Sequence, residues 1–210
     1  MNRPVPTVPT LSPRACGWPA VWTLAVTMSA SVAALVIAQP SVAAPTDIAA
    51  AAPSAPVEVA AALPMARLHG SGTLRYFGLA LYEARLWTAP DFVPGRYDAH
   101  AFALELRYAR KFDGAAIAER SITEMRRVGT FAPAQAKAWL EQLTQAFPDM
   151  KPGDRLTGVR GPGGVTRFYS NGQPTSSIAD PEFGRLFFGI WLSANTSEPA
   201  LRRELIGQNS

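Results

Sequence analysis

Cysteine and histidine are scarce in this 210-residue chain, and their scarcity removes several kinds of chemistry. The single cysteine, Cys16, lies near the N-terminus, before the part of the chain that has the composition of a folded domain. A disulfide, a thiolate nucleophile and a cysteine-ligated metal are therefore excluded for that part. The two histidines, His69 and His100, are far apart and lack the spacing of metal ligands. The sequence predicts no metal site.

The motifs of common enzyme classes are also missing. The chain contains no G-x-S-x-G nucleophile elbow, no phosphate-binding Walker loop and no H-E-x-x-H zinc motif. The glycine clusters at 70–72 and 161–164 are typical of turns and not of phosphate loops. We therefore predict no cofactor, and the motifs assign no catalytic residue.

A basic isoelectric point of about 9.6 suggests nucleic acid as a partner, but the distribution of charge argues against it. Residues 1–43 contain two arginines and no acid, which leaves 18 basic and 16 acidic residues in the rest of the chain. These charges alternate in sign along the predicted helices, as on a solvated helix face. No basic stripe with interleaved aromatic residues is present, so nucleic acid is not an expected partner.

Residues 1–43 have the pattern of a bacterial secretory signal peptide. An uncharged apolar stretch runs from Trp18 to Ala38 and is followed by a small-residue cleavage site that includes Ser41 and Ala43. Cleavage after Ala43 would place the protein in the periplasm or outside the cell, without a stable membrane span. An uncleaved stretch of about 20 apolar residues would instead anchor the chain in the membrane.

Residues 44–64 consist largely of alanine and proline and offer little to bury, so we predict a disordered linker there. The folded domain is predicted over residues 65–210. Its first part, residues 66–88, is rich in strand-forming residues, and its apolar residues occupy both alternation phases, which favours a strand covered on both faces. Residues 101–108 alternate cleanly, with Phe102, Leu104, Leu106 and Tyr108 on one face.

Helices and further strands follow in order. Asp113 is a predicted N-cap for a helix over 114–129, a second helix is predicted over 132–147, and two more over 181–192 and 197–207. Between them, residues 155–178 contain hairpin turns at Gly161–Gly164 and at Asn171-Gly172. The order of strands, helices, strands and helices predicts an α+β fold with an antiparallel sheet.

The helix predicted over 181–192 contains two glycines, which cost roughly 1 kcal/mol each relative to alanine. Its apolar stripe is formed by Phe183, Leu186, Phe187, Ile190 and Trp191. We predict that Gly184 and Gly189 allow the helix backbone to approach its neighbours closely. The alternative is that the missing side chains leave space for a ligand cleft.

Six residues are candidates for a binding site because they are polar or flexible side chains among apolar ones. They are Arg75, Tyr76, Arg107, Tyr108, Ser121 and Met125. One interpretation is that the arginines form surface ion pairs and the tyrosines border the core. The other is an apolar cleft whose polar end is formed by an arginine and a tyrosine, with Ser121 and Met125 lining the apolar part.

Several segments resemble, in order, the chalcone isomerase-like family, and in particular its bacterial secreted branch. They are "GSGTLRYFGLALYEARLW", "FALELRYARKFDG", "IAERSITEMRRVG", "FPDMKPGDRLTGV", "RFYSNGQ", "IADPEFGRLFFGIWL" and "SEPALRRELIG". The resemblance covers about residues 66–208. It implies an open-faced β-sandwich, in which a large antiparallel sheet has helices packed on one face and a ligand cleft between them.

The residues of the plant enzyme in this family are not reproduced here. The resemblance places Ala118 and Met125 at its substrate-holding tyrosine and asparagine, and Phe77 at its catalytic threonine, while Arg67 lies near its catalytic arginine. The family also contains members that bind fatty acids without catalysis. We therefore predict a secreted domain that binds a small apolar or amphipathic molecule. An isomerase acting on a phenolic substrate and a protein-interaction scaffold are the alternatives.

Overall fold

Six antiparallel strands form the centre of the structure, a computed structural model that describes residues 53–208. The strands are β1 (Arg67–Tyr76), β2 (Leu79–Thr88), β3 (Phe102–Tyr108), β4 (Arg155–Arg160), β5 (Thr166–Ser170) and β6 (Gln173–Ile178). They lie in the sheet in chain order, each pairing with the next, so β1 and β6 are the edges. The predicted α+β class and antiparallel sheet are confirmed.

In the part of the chain that the structure describes, five α-helices accompany the sheet. They are α1 (Val57–Ala62), α2 (Gly114–Val128), α3 (Pro133–Ala146), α4 (Pro181–Leu192) and α5 (Pro199–Leu205). Within residues 53–208, none of the helices has the length and apolarity needed to cross a membrane. The predicted signal peptide lies outside the described residues.

The main core lies between one face of the sheet and the helices α2 to α5. Alternation in β3 places Phe102, Leu104, Leu106 and Tyr108 in this layer, as predicted. The α2 helix begins where expected, since the Asp113 carboxylate accepts a hydrogen bond from the Ala116 amide. The open-faced arrangement expected from the resemblance is therefore present.

The two glycines of α4 make room for its neighbours. A Cβ atom at Gly184 would lie 2.9 Å from the Thr166 hydroxyl, and one at Gly189 would lie 2.7 Å from the Tyr97 hydroxyl. Both distances are shorter than ordinary contacts, so larger residues would push the helix away. The predicted close approach of the helix backbone is confirmed. Neighbouring protein atoms occupy the space beside the two glycines, so the glycines do not create a ligand cleft.

The opposite face of the sheet is partly covered by α1, which corrects the linker prediction. Val59 of this helix is fully buried against Trp87, Ala103 and Val159. The linker predicted over 44–64 is therefore wrong for its C-terminal part, because an alanine-rich composition concealed one anchoring valine. One short helix also lies outside the face that carries the other four.

The two hairpins of the described sheet that have two-residue turns both use the left-handed backbone region. Asn171 and Gly172 have φ angles of 50° and 85° and join β5 to β6, as predicted. Phe77 and Gly78, with φ angles of 48° and 78°, join β1 to β2. The single covered strand predicted over 66–88 is therefore a hairpin, whose turn was missed because phenylalanine is not a usual residue at that position.

Candidate functional site

A cleft of about 480 Å³ opens between the sheet and the helices, at the end of the layer formed by β1, β2 and β3. Its lining is mainly apolar. The apolar residues along it include Leu74, Leu81, Leu106, Phe112, Ile117, Phe147, Leu156, Phe187 and Ile190. A volume of this size lies within the roughly 300–1,000 Å³ that small-molecule sites occupy.

The sheet contributes a row of side chains that crosses three strands. Leu74, Tyr82 and Tyr108 are register partners on β1, β2 and β3, and all three face the cleft. The pairing of β1 with β2 then shifts, so that Leu81 has no partner opposite it. Such a bulge breaks the alternation of side chains, and Arg75 reaches the edge of the cleft beside it.

Tyr82 and Tyr108 present phenolic hydroxyls in an apolar setting. The indole nitrogen of Trp191 donates a hydrogen bond of 3.0 Å to the Tyr82 oxygen, which fixes the direction of that hydroxyl. The rings of Tyr82 and Tyr108 meet edge to face, with centroids 5.8 Å apart. Burial raises the pKa of both tyrosines above its ordinary value, so both stay protonated at physiological pH and can donate to a ligand.

One face of the α2 helix lines the cleft, and the adjacent face is buried in the core. Ile117, Arg120, Ser121 and Glu124 follow the i, i+3, i+4, i+7 spacing of one helix face, and all four line the cleft. The buried Glu124 carboxylate is 2.6 Å from the exposed Arg120 guanidinium and 3.3 Å from that of Arg127. The Ser121 hydroxyl donates to the Ile117 carbonyl at 2.8 Å, so its proton is already used.

Four of the six predicted residues line the cleft, namely Arg75, Tyr76, Tyr108 and Ser121. Arg107 lies elsewhere, because its neighbours Leu106 and Tyr108 face the cleft and strand alternation turns it to the opposite face. Met125 is fully buried in the core and is absent from the lining. The binding role of the other four remains a prediction.

The positions that the resemblance aligned with the plant enzyme's residues do not line the cleft either. Phe77 lies in the exposed turn between β1 and β2, and Ala118 is buried in the core. Arg67 begins β1, far along the strand from Arg75. The cleft therefore offers its own set of polar groups.

Sequence reasoning missed several residues of the lining, including Tyr82, Trp191, Arg120 and Glu124. A signal was available for Tyr82, because it shares an alternation phase with Leu74. The spacing of Arg120 and Glu124 around Ser121 was also visible, but it has the appearance of a solvated helix face. Among residues 53–208, no group of three or more histidines, cysteines and acids could hold a metal ion.

Comparisons with known proteins agree with this architecture. The fold is similar to the crystal structure of a fatty-acid binding protein from Arabidopsis thaliana, with a TM-score of 0.55 and 12% sequence identity, over 69% of this chain and 88% of that one. An uncharacterized protein from Haemophilus influenzae is 27% identical over 105 residues, which are 50% of this chain and 51% of the relative. The chain thus spans about half the length of that curated relative.

A sequence profile decides the family. The profile described as chalcone isomerase-like matches residues 55–207, which include all the strands, the helices α2 to α5 and the whole lining of the cleft. The match also includes α1, so this helix is part of the family's domain. The chain belongs to the chalcone isomerase-like family.

Proposed function

We propose that the domain binds a small amphipathic molecule, such as a fatty acid, in the cleft between the sheet and the helices. The observation that carries this proposal is an apolar space of about 480 Å³ with hydrogen-bond donors at its sheet side. The similar fold of a fatty-acid binding protein supports it. A large apolar cleft with a few localised polar groups is the usual form of a small-molecule binding site.

The apolar lining is suited to a hydrocarbon chain. Leu106, Ile117, Phe147 and Phe187 come from different elements and surround the interior of the cleft. Each methylene group transferred from water to such a surface contributes about 0.8 kcal/mol. A long alkyl chain would therefore supply most of the binding free energy without any specific polar contact.

Arg75 is the residue that we assign to an anionic head group. Its guanidinium makes a long contact of 3.4 Å to the Gly78 carbonyl. Within the described residues it has no carboxylate at salt-bridge distance, whereas Arg120 is paired with Glu124. A ligand carboxylate could therefore accept a charge-assisted hydrogen bond from Arg75 and a second one from Tyr82 or Tyr108.

The test compares two arginine-to-methionine substitutions on strands β1 and β3 of the same sheet. Arg75→Met removes the cation at the cleft, and Arg107→Met is a matched control, because Arg107 lies on the other face of the sheet. We expect Arg75→Met to weaken the binding of a fluorescent fatty acid by about tenfold. A hydrogen bond to a charged group contributes about 1.5–3 kcal/mol, and the exposure of this arginine to solvent places the effect at the lower end of that range. Arg107→Met should bind like the wild type. Equal affinities of all three proteins would refute the assignment of Arg75.

We also propose that the protein is exported and loses residues 1–43. The uncharged stretch from Trp18 to Ala38 and the small residues before Ala44 support this proposal. Mass spectrometry of the periplasmic fraction should find an N-terminus at Ala44. Recovery of the protein with Met1 intact in the membrane fraction would contradict cleavage.

A further inference from the structure

The turn between β1 and β2 exposes a cluster of large apolar side chains, which we call the hairpin tip (Tyr76, Phe77, Leu79). The exposed fractions of these residues are 64%, 88% and 45%. The rings of Tyr76 and Phe77 are in contact, with centroids 4.5 Å apart. Tyr76 also lines the cleft, so the cluster borders the cleft mouth.

Phe77 occupies a backbone position that does not favour it. Its φ angle of 48° lies in the left-handed region, where a bulky side chain is strained and where asparagine or glycine is usual. The second hairpin of the same sheet has Asn171 at the equivalent position, with φ of 50°. Because Phe77 is almost fully exposed, it gains little from packing within the domain. Strained backbone positions cluster at functional sites, so Phe77 is a candidate for a contact outside the domain.

Two basic residues lie in a loop near the hairpin tip. The Ala109 amide donates to the Leu81 carbonyl at 2.9 Å, which places the loop with Arg110 and Lys111 beside β2 near the tip. Neither segment 74–81 nor segment 107–112 contains an acid. Arg75, which we assign to the ligand, borders the cleft together with Glu198 and a second cavity together with Glu83 and Glu204, so it is not counted among the cations of this surface.

The flanking acids are already engaged. Glu83 pairs with Arg85 at 2.9 Å, and Asp113 accepts the Ala116 amide at the start of α2. Within the described residues, no acid lies at salt-bridge distance from Arg110 or Lys111, so these two cations are not paired there.

We propose that the hairpin tip docks on an anionic lipid bilayer, with Phe77 and Tyr76 in the interfacial region and with Arg110 and Lys111 against the head groups. Exposed aromatic rings with adjacent basic residues have the chemistry of such an interface. Docking in this orientation would hold the cleft mouth at the bilayer surface, so that an amphiphile could pass between the two without crossing water. The docking itself does not depend on which molecule the cleft binds.

The test measures co-sedimentation with lipid vesicles. The core described above lies entirely within residues 53–208, so residues 48–210 are used for the test and the apolar stretch at 18–38 does not contribute. We expect binding to vesicles of phosphatidylglycerol and phosphatidylcholine in equal parts, and much weaker binding to phosphatidylcholine alone. Phe77→Asn should weaken binding by about tenfold, and Lys111→Gln by about fivefold.

Three controls separate docking from misfolding and from general adhesion. Phe77→Asn should have a Tm at least equal to that of the wild type, because asparagine suits the turn, and it should still bind fatty acid in solution. The double substitution Phe77→Asn with Gln173→Phe moves the exposed ring to the hairpin at the far side of the sheet and should not restore binding.

Two kinds of result would overturn the proposal. One is vesicle binding that survives Phe77→Asn or returns in the double variant. The other is an absence of binding to the anionic vesicles. A crosslinker placed at residue 77 that captures a protein, in the absence of vesicle binding, would point to a protein partner instead.

Discussion

The layer between the sheet and its helices is filled at one end and open at the other. At the filled end, Phe168 of β5 packs against Phe183 and Phe187 of α4, with ring centroids 6.2 and 5.1 Å apart, and all three are buried. At the open end, β1 to β3 and α2 leave the cleft of about 480 Å³. The α4 helix serves both ends, since Phe187 borders the cleft as well.

This contrast indicates that particular side chains leave the cleft open, because the rest of the core is closely packed. Aromatic rings close the layer where β5 meets α4, whereas small side chains, Ala116 and Ser121, face the open end from α2. Larger residues at those two positions would fill the space. The two ends should therefore differ in how they respond to substitution.

The largest expected effect is on stability at the filled end. Phe168→Ala should lower the free energy of unfolding by about 3–5 kcal/mol, because it removes a fully packed ring and leaves a cavity. Ile117→Ala at the open end should cost about 1 kcal/mol, since its side chain already borders empty space. Chemical denaturation of the two variants would compare them. Equal losses would mean that the open end is packed as tightly as the other.

A smaller effect is expected from Tyr82→Phe. This substitution keeps the ring and removes both the acceptor of the Trp191 indole and the hydroxyl that we assign as a ligand donor. Fatty-acid affinity should fall severalfold, in line with about 1 kcal/mol for a neutral hydrogen bond. Tyr97→Phe is the matched control, because that hydroxyl donates to the Arg185 carbonyl outside the cleft lining. A larger loss of affinity in the Tyr97 variant would contradict the assignment.

The smallest expected effect is that of pH on binding. Burial raises the pKa of Tyr82 and Tyr108 above the ordinary phenol value of about 10, so neither donor loses its proton between pH 6 and 9. Affinity for a fatty acid should stay constant over that range. A decline toward pH 9 would show that a cleft tyrosine ionises there and is not held in its protonated form.

The sequence predicted the regular parts of the sheet and missed its irregular parts at the open end, for physical reasons. Strand β3 and the Asn171-Gly172 turn follow from clean alternation and a common turn pair. The bulge at Leu81 and the strained turn at Phe77 depend on tertiary contacts and exposure, which local patterns do not encode.

The two candidate residues that do not line the cleft, Arg107 and Met125, were misplaced for different reasons. The placement of Arg107 required only the alternation of β3, which was visible but was not applied to the site. The placement of Met125 required the depth of α2 against the sheet, because Ser121 one turn earlier lies at the border of both the core and the cleft. Helix periodicity identifies the face that points toward the sheet. It does not identify the positions at which the sheet leaves a gap and the helix residue lines a cleft.

Native mass spectrometry of the domain with added palmitate tests the central claim most directly. The wild type should bind one molecule per chain. Ala116→Trp, which adds a large ring at an exposed position of the cleft lining, should keep the fold and lose the bound ligand. Wild-type protein that shows no saturable binding, or an Ala116→Trp variant that binds palmitate as well as the wild type, would contradict the proposal that the open end of the layer is a ligand site.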